Sequence, residues 1–431
     1  TFNIEVSGTN ARPLAIRVSA GKTLDINGRT SNIGAVNGAR GAVLNLNEDA
    51  EFASIATFGT VNIADEKTLT VKSRLSAVSS LNGSVKLPTA KTTAATVTAG
   101  NAEIILVEGN IAKVTLADVT EKVNVKVVDE NNGTADLSSG TIVLYSTKDI
   151  SEKVTVENTT DDGKELNAFF YKKKKAIKAE WADAVTLSYG ETSRKFPNTE
   201  LALEAINDKT KTVDYTLTLN TNLNASALAL PAYAKSLRIT SADETKTIDL
   251  TNVTMISAKT PLTLENVRIE STKPFTISTT SDLTLEGFVS DSIAAVRGGT
   301  KAVLELGTTS PIDKVSGFGT IKLSGEFRTG TTFTATALEL TETADLIVSN
   351  TKAAASAKTL KGAEGSVITL DSGFTPIKVT GTTADSISGA IKLRANEEVT
   401  DTTILFAAKY AGNNVFDVTE IQPDGKECVV T

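Results

Sequence analysis

Along the second half of the chain, short triplets recur in which two apolar residues flank a polar one. Leu237-Arg238-Ile239, Leu262-Thr263-Leu264, Leu283-Thr284-Leu285, Leu304-Glu305-Leu306, Ile321-Lys322-Leu323 and Leu338-Glu339-Leu340 are examples. Strict alternation puts the apolar members on one face of a strand. Each run is short and ends in Gly, Asn, Asp, Ser or Thr, which suit turns. Leu262, Leu283 and Leu304 stand 21 residues apart each time, and later runs recur at about 17. One such coil cannot bury its own apolar face, so coils must stack on one another. The pattern predicts an all-β chain folded as a parallel β-helix, or β-solenoid, with a dry core of Leu, Ile and Val. Tandem β-sandwiches are the alternative, but they favour longer strands joined by tight Asn-Gly hairpins.

The same pattern is written twice. Thr141–Glu165 aligns without gaps on Thr403–Glu427, an offset of 262, and both segments end in Asp-Gly-Lys-Glu. Ala42-Val43-Leu44-Asn45-Leu46 matches Ala302-Val303-Leu304-Glu305-Leu306 at an offset of 260, and Phe58-Gly59-Thr60 matches Phe318-Gly319-Thr320 at the same offset. "LDING" at 24–28 parallels "LTLEG" at 283–287. Blocks in one order at a nearly constant offset mark two tandem copies of a module of about 260 residues. Neither copy is whole. Residues 1–195 form copy one, truncated at its N-terminal side, and residues 196–431 form copy two, truncated at its C-terminal side.

One helix is expected, near 198–208. Asn198 can cap free backbone amides, Glu200 suits the positive helix end, and the pairs Leu201/Ala205 and Ala202/Ile206 make an apolar stripe. Leading into "DYTLTL" (214–219), such a helix reads as a cap over an exposed first coil. Lys172–Lys175 reads as the solvated tip of a hairpin between strands near 166–171 and 176–181, in preference to a patch for anionic glycans or lipids.

Composition narrows the functional classes. Lys and Arg number 44 against 51 Asp and Glu, a net charge of -7, which favours neither nucleic acid nor a membrane surface. Histidine is absent, removing the commonest metal ligand. Cys428 is the only cysteine, so there is no disulfide framework and no cysteine zinc site. No apolar run is long enough to span a bilayer as a helix. A chain that opens at Thr1, with Met255 its only methionine, reads as a mature or truncated piece of a larger protein.

From "KKKKAIKAEW" through "FPNTELALEAINDKTKTVDYTLTLN" into the triplets, the chain resembles modules of adhesin-like cell-surface proteins of anaerobic gut bacteria. The resemblance is one of pattern and covers most of the chain. It implies a right-handed parallel β-helix of pectate-lyase-like shape, exported to the bacterial surface or beyond, with a structural or binding role. No site residue comes with it.

Enzymatic chemistry finds little purchase. The acidic pairs Asp161-Asp162, Asp243-Glu244 and Glu397-Glu398 are adjacent, and on a strand adjacent side chains point to opposite faces. "NTTDDG" (158–163) starts like a calcium loop, but Thr160 takes a carboxylate position and the closing Glu would fall on Phe169. "GFG" (317–319) lacks a following phosphate-loop pattern and fits a tight corner. Thr68/Thr70 and Thr216/Thr218 do not recur once per coil, as an ice-binding face would require. The expectation is a non-enzymatic extracellular surface protein, adhesin-like or a stalk, without cofactor. No catalytic, cofactor-binding or metal-binding residue is singled out. Its partners would be host or environmental glycans or surface proteins. A carbohydrate-active or glycan-binding β-helix protein is the alternative.

Overall fold

A computed structural model describes residues 13–28, 30, 33–88, 93–108, 114–206, 209–348, 354–370, 377–395, 406–408, 412–413, 418–419 and 427–430. The protein is all-β, with 60% of the described residues in strands and 3% in helix, and its parallel coils stack as a β-solenoid. The chain divides into two compact units, Thr1–Ala182 and Asp183–Thr431.

The core of the second unit is a set of vertical rows. Leu237, Leu262, Leu283, Leu304, Ile321, Leu338, Leu360 and Ile387 stand each over the next in parallel register. All eight are buried, none more than 8% exposed. Ile239, Leu264, Leu285, Leu306, Leu323 and Leu340 form a second row two residues along. Both rows follow from the triplets, since the flanking residues face inward and the middle one faces water. Full burial of such a side chain contributes about 1.5–3 kcal/mol, which no single coil could realise alone.

The first unit has equivalent rows. Val36, Ile55, Leu75, Ala94 and Val114 stack in one, and Val85, Ile104, Val125 and Val156 in another. Its strands depart from the uniformly short runs expected. Thr68–Leu87 is a strand of 20 residues, and Thr93–Val107 and Val114–Val128 have 15 each. The ladder continues through the corners because single left-handed residues and register shifts turn the chain without breaking pairing. Thr57 (φ 64), Ala77 (φ 53) and Thr96 (φ 54) are such corner residues.

At offsets of 260 and 261 the two units share backbone geometry. Leu14–Arg17 pairs with Ile33–Asn37 and is irregular between Leu14 and Ala15; Phe275–Ser278 pairs with Ile293–Arg297 and is irregular between Phe275 and Thr276. The Gly38 amide donates to the Ala56 carbonyl at 2.9 Å, as Gly298 does to Ser316 at 2.9 Å. Gly59 and Thr60 both donate to the Ala42 carbonyl; Gly319 and Thr320 both donate to that of Ala302. Phe58 and Phe318 are each 2% exposed. "GFG" is therefore a corner, with Gly317 left-handed (φ 86) where Thr57 stands in the other unit.

The first Asp-Gly-Lys-Glu segment is a turn. Gly163 is left-handed (φ 77), and its amide donates to Thr160 O at 2.9 Å, while Thr160 N–H donates to Lys164 O at 2.9 Å. Of the second, residues 423–426 lie outside the described residues.

The helix spans Thr199–Glu204, shorter than the expected 198–208. Asn198 caps it, its side-chain oxygen accepting from Leu201 N–H at 2.9 Å. Leu201, Ala202, Leu203 and Ile206 are buried, but Ala205 is exposed, because six helical residues end before that position can turn inward. The helix packs on the hairpin Val185–Tyr189/Thr192–Phe196 and on strand Leu223–Ala225. Val185–Tyr189 pairs antiparallel with Asp214–Leu219, covering the edge where the parallel stack begins. Lys172–Lys175 form the exposed tip of the antiparallel hairpin Asn167–Tyr171/Ala176–Glu180.

Candidate functional site

Polar groups on the surface engage their counterparts one coil away. Asp25, Asn45, Asn62 and Asn82 form a continuous ladder: each asparagine side-chain N–H donates to the side-chain oxygen one coil before, at 2.6, 3.0 and 2.9 Å. Lys72–Glu51 (2.5 Å), Lys235–Asp214 (2.7 Å) and Lys322–Glu305 (3.6 Å) bridge coils in the same way. These pairs are exposed, and screening by water and salt leaves each a small contribution to stability.

Asp214 carries a testable consequence. The hydrogen bond from Lys235, then that from Ser236 at 2.5 Å, holds its carboxyl below the usual carboxylate range. A depressed folded value means stability present above the unfolded pKa and lost as pH falls through the folded one. Carboxyl NMR titration should give Asp214 a midpoint below that of free aspartate. Lys235→Met should move it upward, and an unmoved midpoint would remove Lys235 as the cause.

The two described acidic pairs lie at exposed turns and bends. Asp161 and Asp162 are exposed in the Thr160–Lys164 turn, where Lys164 binds Asp162 at 2.7 Å and stacks 4.0 Å from the Trp181 ring. Asp243 and Glu244 lie exposed in a bend, and Glu397-Glu398 fall outside the described residues. Glu180 is buried, but Tyr171 Oη (2.6 Å), Ser139 Oγ (3.0 Å) and Lys178 (3.8 Å) bind it, pinning the hairpin. Among the described residues, no group of three or more Cys, Asp or Glu side chains is arranged to hold a metal ion.

One feature suited to a ligand is a cavity of about 730 Å³ in the first unit. It lies where the ladder divides. Ala50–Phe52 pairs with Leu69–Val71, whereas Ser84–Leu87 pairs with the following coil at Glu103–Leu106. One wall carries Thr30, Asp49, Glu51, Thr68 and Thr70; the other carries Lys86, Glu103, Lys126 and Asn132, with Ala50, Ile105 and Val128 as apolar ground. Asp49 accepts from Thr68 N–H at 2.8 Å, Glu103 accepts from Ser84 Oγ at 2.6 Å, and Lys86 donates to the Asn132 side-chain oxygen. Thr68 and Thr70 thus sit on a cavity wall, while Thr216 and Thr218 face Arg238 and Thr240 in the next coil. Sequence reading pointed to none of these positions as a site. They are polar and apolar residues spread from 30 to 132, gathered only by the coil register.

Compared with known proteins, the chain matches no family model, no curated protein and no solved structure. Among the described residues, no helix is long and apolar enough to cross a membrane.

Proposed function

We propose that the chain is a non-enzymatic extracellular surface protein, adhesin-like or a structural stalk, built of β-solenoid modules. The observation that carries this reading is the coil-to-coil engagement of surface polar groups, from the Asp25–Asn82 ladder to the Lys–carboxylate bridges. Side chains occupied in holding neighbouring coils together suit a scaffold that presents long faces to partners. The Thr- and Ser-rich composition of the surface fits the same role. A second reading, a glycan-binding β-helix protein, is favoured by the hydroxyl- and carboxylate-lined cavity.

The test is binding of the full chain to a broad glycan array that includes host mucin, with and without calcium. Saturable, selective binding without release of sugar products supports the adhesin-like reading. Silence across the array leaves the stalk. Turnover of any array carbohydrate would overturn the non-enzymatic assignment.

A further inference from the structure

We propose that the cavity of the first unit binds a short saccharide bearing a single carboxylate; the proposal rests on the surface-recognition reading above and specifies its ligand. The key group is Lys126. It lines the cavity and is half-buried, and among the described residues its side-chain ammonium has neither a hydrogen bond nor an ion pair. Lys86, Ile105 and Lys126 occupy one position on three successive coils. At the usual strand spacing the two lysine backbones lie roughly 10 Å apart. Lys86 is turned to a neutral amide oxygen, that of Asn132. A partly desolvated ammonium over apolar ground gains from an anion that replaces lost water.

The rest of the lining limits what that anion can belong to. Asp49, Glu51 and Glu103 set three negative charges against the two of Lys86 and Lys126, and Lys72, bound to Glu51 at 2.5 Å, brings the local balance close to neutral. A polyanion such as a nucleic acid or a sulfated glycan gains little from such a balanced lining, whereas one carboxylate placed at Lys126 is accommodated. The carboxylates and the Thr68 and Thr70 hydroxyls are acceptors for a ligand rich in O–H donors, as a sugar is. Ile105 offers an apolar surface for the C–H face of a ring. No aromatic side chain lines the cavity among the described residues, which disfavours a stacked base. A volume of about 730 Å³ lies in the range of small-ligand sites and admits two or three sugar rings.

The experiment is calorimetric titration of the full chain with two matched pairs: sialyllactose against lactose, and methyl glucuronide against methyl glucoside. The acidic member of at least one pair should bind about tenfold or more tightly than its neutral counterpart, and which pair responds identifies the source of the carboxylate. Lys126→Gln should abolish that preference while leaving the melting temperature unchanged. Thr70→Val should weaken the acidic and neutral members of the responding pair alike. Equal binding within both pairs, no binding at millimolar concentration, or wild-type preference in Lys126→Gln would overturn the proposal. Array binding retained by Lys126→Gln would keep the adhesin-like reading and place recognition elsewhere. Acid-selective binding with a silent mucin arm would keep this site and remove mucin as its partner.

Discussion

Replacing Asn158 with alanine should destabilise the first unit by about 3 kcal/mol, more than any exposed ion pair of the chain could account for. Asn158 is 1% exposed, and its place at the head of NTTDDG (158–163), weighed above only as a calcium loop, gives no sign of this role. Its side-chain oxygen accepts from Val127 N–H at 2.8 Å, and its N–H groups donate to the Val127 and Ala135 carbonyls at 2.7 and 2.8 Å. Alanine leaves the Val127 amide and the Ala135 carbonyl without these partners, although the Val127 carbonyl keeps the Ala135 N–H at 3.0 Å. Aspartate should be worse, since it would turn acceptors toward two carbonyls. Urea denaturation followed by Trp181 fluorescence reads the loss, and amide exchange at Val127 localises it. A loss below about 1 kcal/mol, or unchanged exchange, would show that water takes over the role of the side chain.

The second large effect is steric. A Cβ on Gly298 would lie 2.3 Å from the ring of Phe318, which is buried by the stacked coils. Gly298→Val should therefore cost about 3 kcal/mol, and Phe318→Ala about 3–5 kcal/mol through the cavity it leaves. The double variant should cost clearly less than the sum, because the valine fills part of the space the ring vacates. At Gly38 the virtual Cβ meets the Phe58 ring at 2.8 Å but also the Thr57 carbonyl oxygen at 2.7 Å, so Gly38→Val should be relieved less by Phe58→Ala than Gly298→Val is by Phe318→Ala. Strict additivity in both pairs would mean that glycine is required there for its backbone alone.

What could be read in advance was set by the inward positions. A parallel coil places an apolar side chain at each core row, so the rows through Leu262, Leu283 and Leu304 were visible as spacing. Asn198 was visible as a cap because its oxygen serves an amide three residues on, a local relation. The hairpin Val185–Tyr189/Thr192–Phe196 was not, since its alternation looks like any other triplet and antiparallel pairing leaves no mark in it. The 20-residue strand Thr68–Leu87 was hidden for a related reason: Ala77 turns left-handed without a glycine to announce it. The cavity was the least legible. Lys126 and Thr70 are 56 residues apart in sequence and share no motif, and only the division of the ladder brings them to one opening.

The core row of the second unit passes from Leu237 to Ile387 through intervals of 25, 21, 21, 17, 17, 22 and 27 residues without slipping register. The interior therefore measures position and ignores contour length: whatever a coil holds beyond its core strands leaves as a loop. Insertions and deletions at the corners are thereby decoupled from folding, because closing a longer loop costs little. A lineage carrying this architecture can vary the outline and chemistry of one coil while the neighbouring coils stay as they are. Repetition of such coils then gives the chain many places to change its contacts and few in which change threatens the fold.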